Sequence, residues 1–127
     1  MIPLEKIILL NQLPIFSTLH TDQIRAIAQI ALEDYRKAGE LFYAKSDYAG
    51  RLCIIVNGQV KINSRLFQAQ DIIGITSLFS DALQSSDAVC IEDSEFLIIE
   101  REDIEALIHE EPAIAIGLLK VFTEHFE

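Results

Sequence analysis

The chain has 127 residues, of which 50% are hydrophobic and 24% are charged, a composition typical of one soluble globular domain. Its net charge is −10, and residues 92–127 carry two basic and eleven acidic side chains. Because acidic surfaces repel phosphate backbones, nucleic-acid contact is not expected. Apolar runs such as Ile7 to Leu10 are too short to span a membrane, and the first residues lack the apolar region of a signal peptide. We therefore expect a cytoplasmic protein.

Residues 1–32 have the apolar spacing of two short helices. The spacing within Leu4–Ile8 predicts the first helix, which ends at Pro14 because proline lacks an N–H and restricts the residue before it. Thr21 is the expected N-cap of the second helix, which runs from Asp22 to about Leu32.

From Glu33 the pattern changes to short apolar segments separated by turn residues, which predicts β-strands. The predicted strands are residues 35–37, 41–44, 51–56, 59–63, 66–67, 72–73, 88–91 and 96–99. Asn57-Gly58 is favoured in type I′ turns, so the strands on either side of it are predicted to pair as a hairpin. A turn at Glu92-Asp93 is predicted to pair the last two strands in the same way.

The C-terminal segment returns to helical spacing. One helix is predicted from about Glu102 to Glu110, and another begins near Pro112. The last helix carries an apolar face formed by Ile114, Leu118, Val121, Phe122 and Phe126. We expect this face to be covered in the working protein, either by the rest of the domain or as a homodimer or inter-domain contact.

Helices at both ends of a run of short strands predict a mainly β domain with flanking helices, a barrel or jelly roll. We expect a single domain over residues 1–127, with N-terminal helices at 1–32, a β-roll at 33–100 and C-terminal helices at 101–127. Cys53 and Cys90 lie in predicted strands and are expected to be buried free thiols.

A series of short motifs runs along the chain: Leu13-Pro14-Ile15-Phe16, Tyr35 with Gly39-Glu40, Asp47 with Leu52 to Val60, residues 70–89, and Leu97 to Asp103. In this order and spacing they resemble the cyclic-nucleotide-binding domain family. The resemblance covers nearly the whole chain. It implies a double-stranded β-helix, or jelly roll, flanked by helices, and a regulatory role in signal transduction.

Residues 70–89 resemble the phosphate-binding cassette of that family, in which a Glu takes the ribose hydroxyl and an Arg takes the cyclic phosphate. Gly74 matches the cassette glycine, but Ile75 falls at the Glu position and Gln84 falls at the Arg position. Losing an ionic hydrogen bond costs about 1.5–3 kcal/mol, so losing two polar anchors should weaken binding at least on the order of a hundredfold. The resemblance therefore implies a degenerate cassette that does not bind cyclic AMP or cyclic GMP tightly.

The small polar residues of the cassette leave two interpretations open. If any ligand binds there, the contacting residues are expected to be Gly74, Ile75, Thr76, Ser77, Gln84, Ser85 and Ser86. The hydroxyl groups either bind another small molecule or cap a short cassette helix and fill the loop. Asp81 and Asp87 are expected to be exposed loop residues.

No catalytic or metal-binding motif is apparent, and no cofactor is expected. His20, His109 and His125 are far apart and are expected at the surface, whereas a metal-dependent β-roll enzyme needs a His-x-His cluster. We therefore expect a non-catalytic regulatory or scaffolding domain, which either ends at the natural terminus or is one domain of a larger protein. The alternative is a ligand-sensing domain that reads a cyclic nucleotide or another small molecule in the same pocket.

Overall fold

The computed structural model describes residues 1–75 and 77–125, without the side chains of Val121, Phe122, Glu124 and His125. The chain divides into a helical unit, formed by Met1–Ala31 and the helical residues after Arg101, and a β-roll formed by Leu32–Arg101.

The helical unit is built from α1 (Pro3–Gln12), a 3₁₀ turn (Pro14–Phe16), α2 (Thr21–Ile30), α3 (Arg101–Glu110) and α4 (Ala113–His125). Helix α1 packs on α2, and α4 packs on the 3₁₀ turn. These elements bury apolar side chains such as Leu10, Phe16 and Ile114. The four helices predicted at the two ends of the chain are present because each stretch has enough apolar residues on one face to be covered by a neighbouring element.

Helix α2 begins one residue earlier than predicted. Thr21 is its first helical residue, and His20 precedes the helix. The backbone N–H of His20 donates to Gln23 Oε1 at 2.9 Å, so the side chain at the third helical position reaches back to the start of the helix. The prediction that Thr21 is the N-cap is therefore wrong.

The roll consists of two antiparallel sheets of four strands each. Their strands, in spatial order, are β1 (Leu32–Arg36), β8 (Ser94–Glu100), β3 (Arg51–Asn57) and β6 (Ile72–Ile73) in one sheet, and β2 (Leu41–Tyr43), β7 (Ala88–Cys90), β4 (Gln59–Ile62) and β5 (Arg65–Gln68) in the other. Most neighbouring strands are distant in sequence, as in a jelly roll. The predicted mainly β fold with flanking helices is confirmed.

The Asn57-Gly58 turn passes from one sheet to the other instead of closing a hairpin, because β3 and β4 lie in different sheets. Asn57 still pairs with Glu95 of β8, and Gly58 has a φ of +104°. A Cβ on Gly58 would collide with the Ser94 side chain and the Asp93 backbone, so this crossover requires glycine. The predicted type I′ hairpin is therefore wrong.

The predicted pairing of the last two strands is wrong for the same reason, since β7 and β8 also belong to different sheets. A hairpin forms instead between β4 and β5, where Ile62 pairs with Arg65. Asn63, the first turn residue, has a φ of +57°, a conformation that asparagine tolerates better than most residues.

The apolar core of the roll draws side chains from both sheets. The rings of Phe42 and Phe96 stack with their centroids 4.0 Å apart. The other buried members are Cys53, Ile55, Val60, Ile73, Ala88, Cys90 and Ile98. Both cysteines are buried and unpaired, as predicted, and burial raises the pKa of Cys53 to about 12, so it remains a neutral thiol.

Candidate functional site

The first half of the predicted cassette is fixed to the edge of β3. Ile73 of β6 pairs with Cys53, and the Gln70 N–H donates to the Ile55 carbonyl oxygen at 2.7 Å. Gly74 then takes a φ of +97°, and a Cβ there would collide with the Arg51 carbonyl oxygen. Glycine is required because of both the backbone conformation and the close approach of β3.

Residues 75 and 77–79 form turns, and no helix occurs among residues 75 and 77–87. The Ser80 N–H donates to the Ser77 carbonyl oxygen at 3.1 Å, which closes a single turn. The Ser77 hydroxyl lies 3.4 Å from the carbonyl oxygens of Ala49 and Gly74, so it bonds to backbone and does not cap a helix. The interpretation that the hydroxyl groups cap a short cassette helix is therefore wrong for the described residues, and Thr76 lies outside them.

A cavity of about 200 Å³ opens beside this segment. Its lining residues are Phe42, Tyr43, Asp47, Tyr48, Arg51, Cys53 and Gln84. Among the predicted ligand positions that the structure describes, Gln84 lines the cavity. Gly74, Ile75 and Ser77 are half-buried beside it, outside the lining set. Ser85 is exposed and Ser86 is half-buried, and neither contributes to the wall.

The loop that carries Gln84 is hydrogen-bonded to the loop between β2 and β3. We call these contacts the loop pairing. The Gln84 N–H donates to the Asp47 carbonyl oxygen at 2.8 Å, and the Ser46 N–H donates to the Gln84 carbonyl oxygen at 2.8 Å. The adjacent Tyr48 and Leu83 form an antiparallel bridge. The Lys45 N–H donates to Asp87 Oδ1 at 2.6 Å. Main-chain contacts therefore hold this wall of the cavity in place.

The charged groups around the cavity already have partners within the roll. Arg51 forms an ion pair with Glu100 at 3.1 Å. Asp47 Oδ2 accepts a hydrogen bond from the Ala44 N–H at 2.9 Å. Asp81, an exposed loop residue as predicted, forms an ion pair with Arg101 at 3.1 Å. A new anion in the cavity would have to compete with Glu100 for Arg51, the cation among the described lining residues.

Most of the cavity wall was not predicted from the sequence. Phe42, Tyr43, Tyr48 and Arg51 belong to β2, β3 and the loop between them, far from the cassette along the chain. Asp47 belongs to one of the motifs that carry the family resemblance. That motif was the one feature of the sequence that could have pointed to this loop as part of the site. Burial raises the pKa of Tyr43, so this phenol is a neutral hydrogen-bonding group at physiological pH.

The predicted interface on α4 is only partly described. Ile114 and Leu118 are buried. Val121, Phe122 and Phe126 fall outside the described side chains. On another side of the helix, Ile116 and Leu119 are each 60% exposed. The interface stays a prediction.

Further features bear on the excluded functions. His20 and His109 are exposed, as predicted, and the His125 side chain is not described. In the described part of the chain, no three His, Cys, Asp or Glu residues are grouped so that they could hold a metal ion. None of the described helices is long and apolar enough to cross a membrane.

Comparisons with known proteins agree with the sequence resemblance. A sequence model of the family described as "Cyclic nucleotide-binding domain" matches residues 33–111. No curated protein matches the sequence. The N-terminal domain of a transcriptional regulator from Streptomyces coelicolor A3(2) is similar over 93% of this chain and 91% of its own, with a TM-score of 0.82 and 20% identity.

Two further solved structures share the fold. A cyclic nucleotide-binding domain from Methylobacillus flagellatus is similar over 98% of this chain and 78% of its own, with a TM-score of 0.76 and 19% identity. The regulatory domain of Toxoplasma gondii PKA, solved with cAMP, is similar over 82% of this chain and 43% of its own, with a TM-score of 0.71 and 14% identity. At these identities the likeness concerns the fold.

Proposed function

Since this chain belongs to the cyclic nucleotide-binding domain family, we propose that it is a non-catalytic regulatory or scaffolding domain that binds neither cyclic AMP nor cyclic GMP tightly. The proposal rests on the side chains at positions 75 and 84, where binding members of the family have the Glu and the Arg that anchor the ligand. Ile75 has no group that could hydrogen-bond a ribose, and Gln84 offers a neutral amide where a cyclic phosphate calls for a guanidinium.

The contacts of the cavity support this proposal. Ligand pockets of drug-sized molecules have volumes of roughly 300–1,000 Å³, and this cavity has about 200 Å³. The Gln84 backbone already uses its N–H and carbonyl in the loop pairing. Arg51 is engaged by Glu100. A cyclic nucleotide would therefore have to displace internal contacts and would gain no ionic anchor at residues 75 and 84.

A calorimetric titration with cyclic AMP tests the proposal. The unaltered protein should show no binding at micromolar concentrations, which corresponds to about −8 kcal/mol. The double variant Ile75→Glu with Gln84→Arg should recover part of the affinity, and neither single variant should recover as much, because the two polar ends of the ligand are anchored together. Thermal unfolding of each variant serves as the control for folding.

A matched variant tests the position of the missing cation. Ser85 is the exposed neighbour of Gln84, so Ile75→Glu with Ser85→Arg adds the same charges one residue away from the cavity wall. It should not recover binding. Recovery in the Ser85 pair alone would contradict the assignment of Gln84, and tight binding by the unaltered protein would overturn the proposal as a whole.

The alternative is a domain that senses another small molecule in the same cavity. It is supported by the lining, which combines the aromatic rings of Tyr43 and Tyr48 with the polar ends of Arg51 and Gln84. A thermal-shift screen with common metabolites separates the two, because a specific ligand stabilises the folded state by mass action. Stabilisation of several degrees that Gln84→Ala removes would favour sensing over scaffolding.

We further propose that residues 1–127 act as one domain and that α4 contacts a second copy or a further domain. Within α4 the exposed Ile116 and Leu119 are the described apolar groups suited to that contact. Sedimentation analysis should show association that Leu119→Glu abolishes. A monomer unaffected by Leu119→Glu would remove the interface with a second copy.

A further inference from the structure

A second cavity lies in the helical unit, between α1 and α2, and has no role in the function proposed above. Its volume is about 440 Å³, which falls within the range of small-molecule sites and exceeds that of the roll cavity. Its lining residues are Pro3, Lys6 and Ile7 from α1 and Arg25, Ala28 and Gln29 from α2.

The charged side chains that line this cavity are positive, whereas the helical unit that contains it is mainly acidic. Residues 1–31 and 102–127 contain nine acidic side chains and three Lys or Arg, which are Lys6, Arg25 and Lys120. Two of these three cations line the same cavity. An acidic unit that places most of its positive charge around one concave apolar site is complementary to an anion there.

The contacts of the two cations leave both able to accept a ligand. Lys6 Nζ donates to the Ala31 carbonyl oxygen at 2.8 Å, which fixes the ammonium group near the end of α2. An ammonium has three N–H donors, so two of them can still reach a bound oxygen. Arg25 lies 3.5 Å from Asp22, and both side chains are exposed. Exposed pairs of this kind are weak, so a second carboxylate can share the Arg25 guanidinium at little cost.

The rest of the lining is suited to an apolar body. Pro3, Ile7 and Ala28 supply apolar surface. The lining covers about one turn of each helix, residues 3–7 of α1 and residues 25–29 of α2. A helical partner would need anchor sites repeated over two turns or more, whereas a short chain with one charged end needs a single compact site.

We propose that the cavity between α1 and α2 binds an amphipathic monocarboxylate, with the carboxylate between Lys6 and Arg25 and the apolar chain against Pro3, Ile7 and Ala28. The probe is octanoate, titrated into the full chain by calorimetry. Binding should saturate at one equivalent with a Kd on the order of 0.1–1 mM. Octan-1-ol has the same chain length without the charge. Its affinity should be at least about tenfold lower, because it cannot form ionic hydrogen bonds.

Three variants make the test specific to the cavity. Lys6→Met and Arg25→Met each remove one charge while they keep an unbranched side chain, and each should weaken octanoate binding about tenfold. Lys120→Met removes the same charge from an exposed site on α4 and should leave binding unchanged. Lys6 also bonds to Ala31, so a thermal melt accompanies each variant, and Arg25→Met gives a reading that does not depend on that bond.

Several outcomes would overturn the proposal. One is the absence of saturable binding up to about 10 mM octanoate, a concentration well above the Kd expected for this site. Another is an equal loss of affinity in Lys120→Met, since that would indicate attraction by overall charge. Octanol binding as tight as octanoate binding, or retention of full affinity in folded Arg25→Met, would likewise contradict it.

Discussion

The core of the roll and its cassette loop, residues 74–87, are held in place by different kinds of contact. The core is held by apolar side chains from both sheets, such as the stacked rings of Phe42 and Phe96. The cassette loop buries one large apolar side chain, Leu78, and its second half is held by the hydrogen bonds of the loop pairing. The contacts that frame the site are therefore separate from the side chains at the predicted ligand positions, so either set can change without the other.

The largest effect is expected from a substitution in the core. Phe96 is fully buried, so Phe96→Ala should lower the free energy of unfolding by about 3–5 kcal/mol, because it removes apolar contacts and leaves a void. Urea denaturation measures this. Leu66→Ala is the control: Leu66 is 57% exposed on β5, and its loss should stay within about 0.5 kcal/mol. Similar values for both variants would contradict the view that the core carries the stability.

A smaller effect is expected where the core meets the cassette loop. Gly74→Ala should lower the free energy of unfolding by about 3 kcal/mol, because it combines a positive φ with a collision against the Arg51 carbonyl oxygen. Gly39→Ala is the matched control, since Gly39 also has a positive φ, +88°, but has open space around its Cβ position. It should cost about 1 kcal/mol.

Urea denaturation of the two glycine variants isolates the cost of the close approach, because both glycines have similar positive φ angles. Equal losses would mean that β3 moves away from residue 74 without resistance. The backbone around Gly74 would then yield to a side chain more easily than its close contact with β3 indicates. Residue 74 would resemble the loop and not the core in its tolerance of substitution.

The sequence predicted the strands of the roll better than their partners. Apolar alternation located the segments around residues 51–56 and 96–99, because burial leaves that pattern in the sequence. It could not tell a hairpin from a crossover at Asn57-Gly58. In this structure Ser94 and Asp93, which are distant along the chain, leave no room for a Cβ at residue 58. A local turn signal cannot include a contact of that kind.

The candidate site shows the same limit. Gln84, which lines the cavity, could be proposed from the sequence because it lies within one contiguous motif. The wall formed by Tyr43, Tyr48 and Arg51 could not, because it depends on how β2 and β3 are placed by the sheets. The loop pairing was also hidden, since the backbone N–H of Gln84 and that of Ser46 leave no side-chain pattern in the sequence.

The smallest effect on stability, and the sharpest test of the comparison, is expected in the loop pairing. Asp87 Oδ1 accepts the Lys45 N–H at 2.6 Å, and both residues are exposed, so water can replace the carboxylate. Asp87→Ala should therefore lower the free energy of global unfolding by about 1 kcal/mol or less. Local opening of the loop should become up to about fivefold more frequent, because a loss of about 1 kcal/mol corresponds to a fivefold change in the opening equilibrium.

Native-state hydrogen exchange distinguishes these two events, because the amides of Gln84 and Ser46 report the loop pairing and the amide of Ile55 reports β3. In Asp87→Ala all three amides should exchange up to about fivefold faster, because the lost contact is broken in both events, but the Gln84 and Ser46 amides should open with a lower free energy and a weaker dependence on denaturant than the Ile55 amide. Ser85→Ala, which shortens an exposed neighbour, should change neither. If all three amides have the same opening free energy and the same dependence on denaturant, the loop opens only when the roll unfolds. Loop and core would then form one cooperative unit, and a ligand could enter the cavity only at the cost of unfolding the roll.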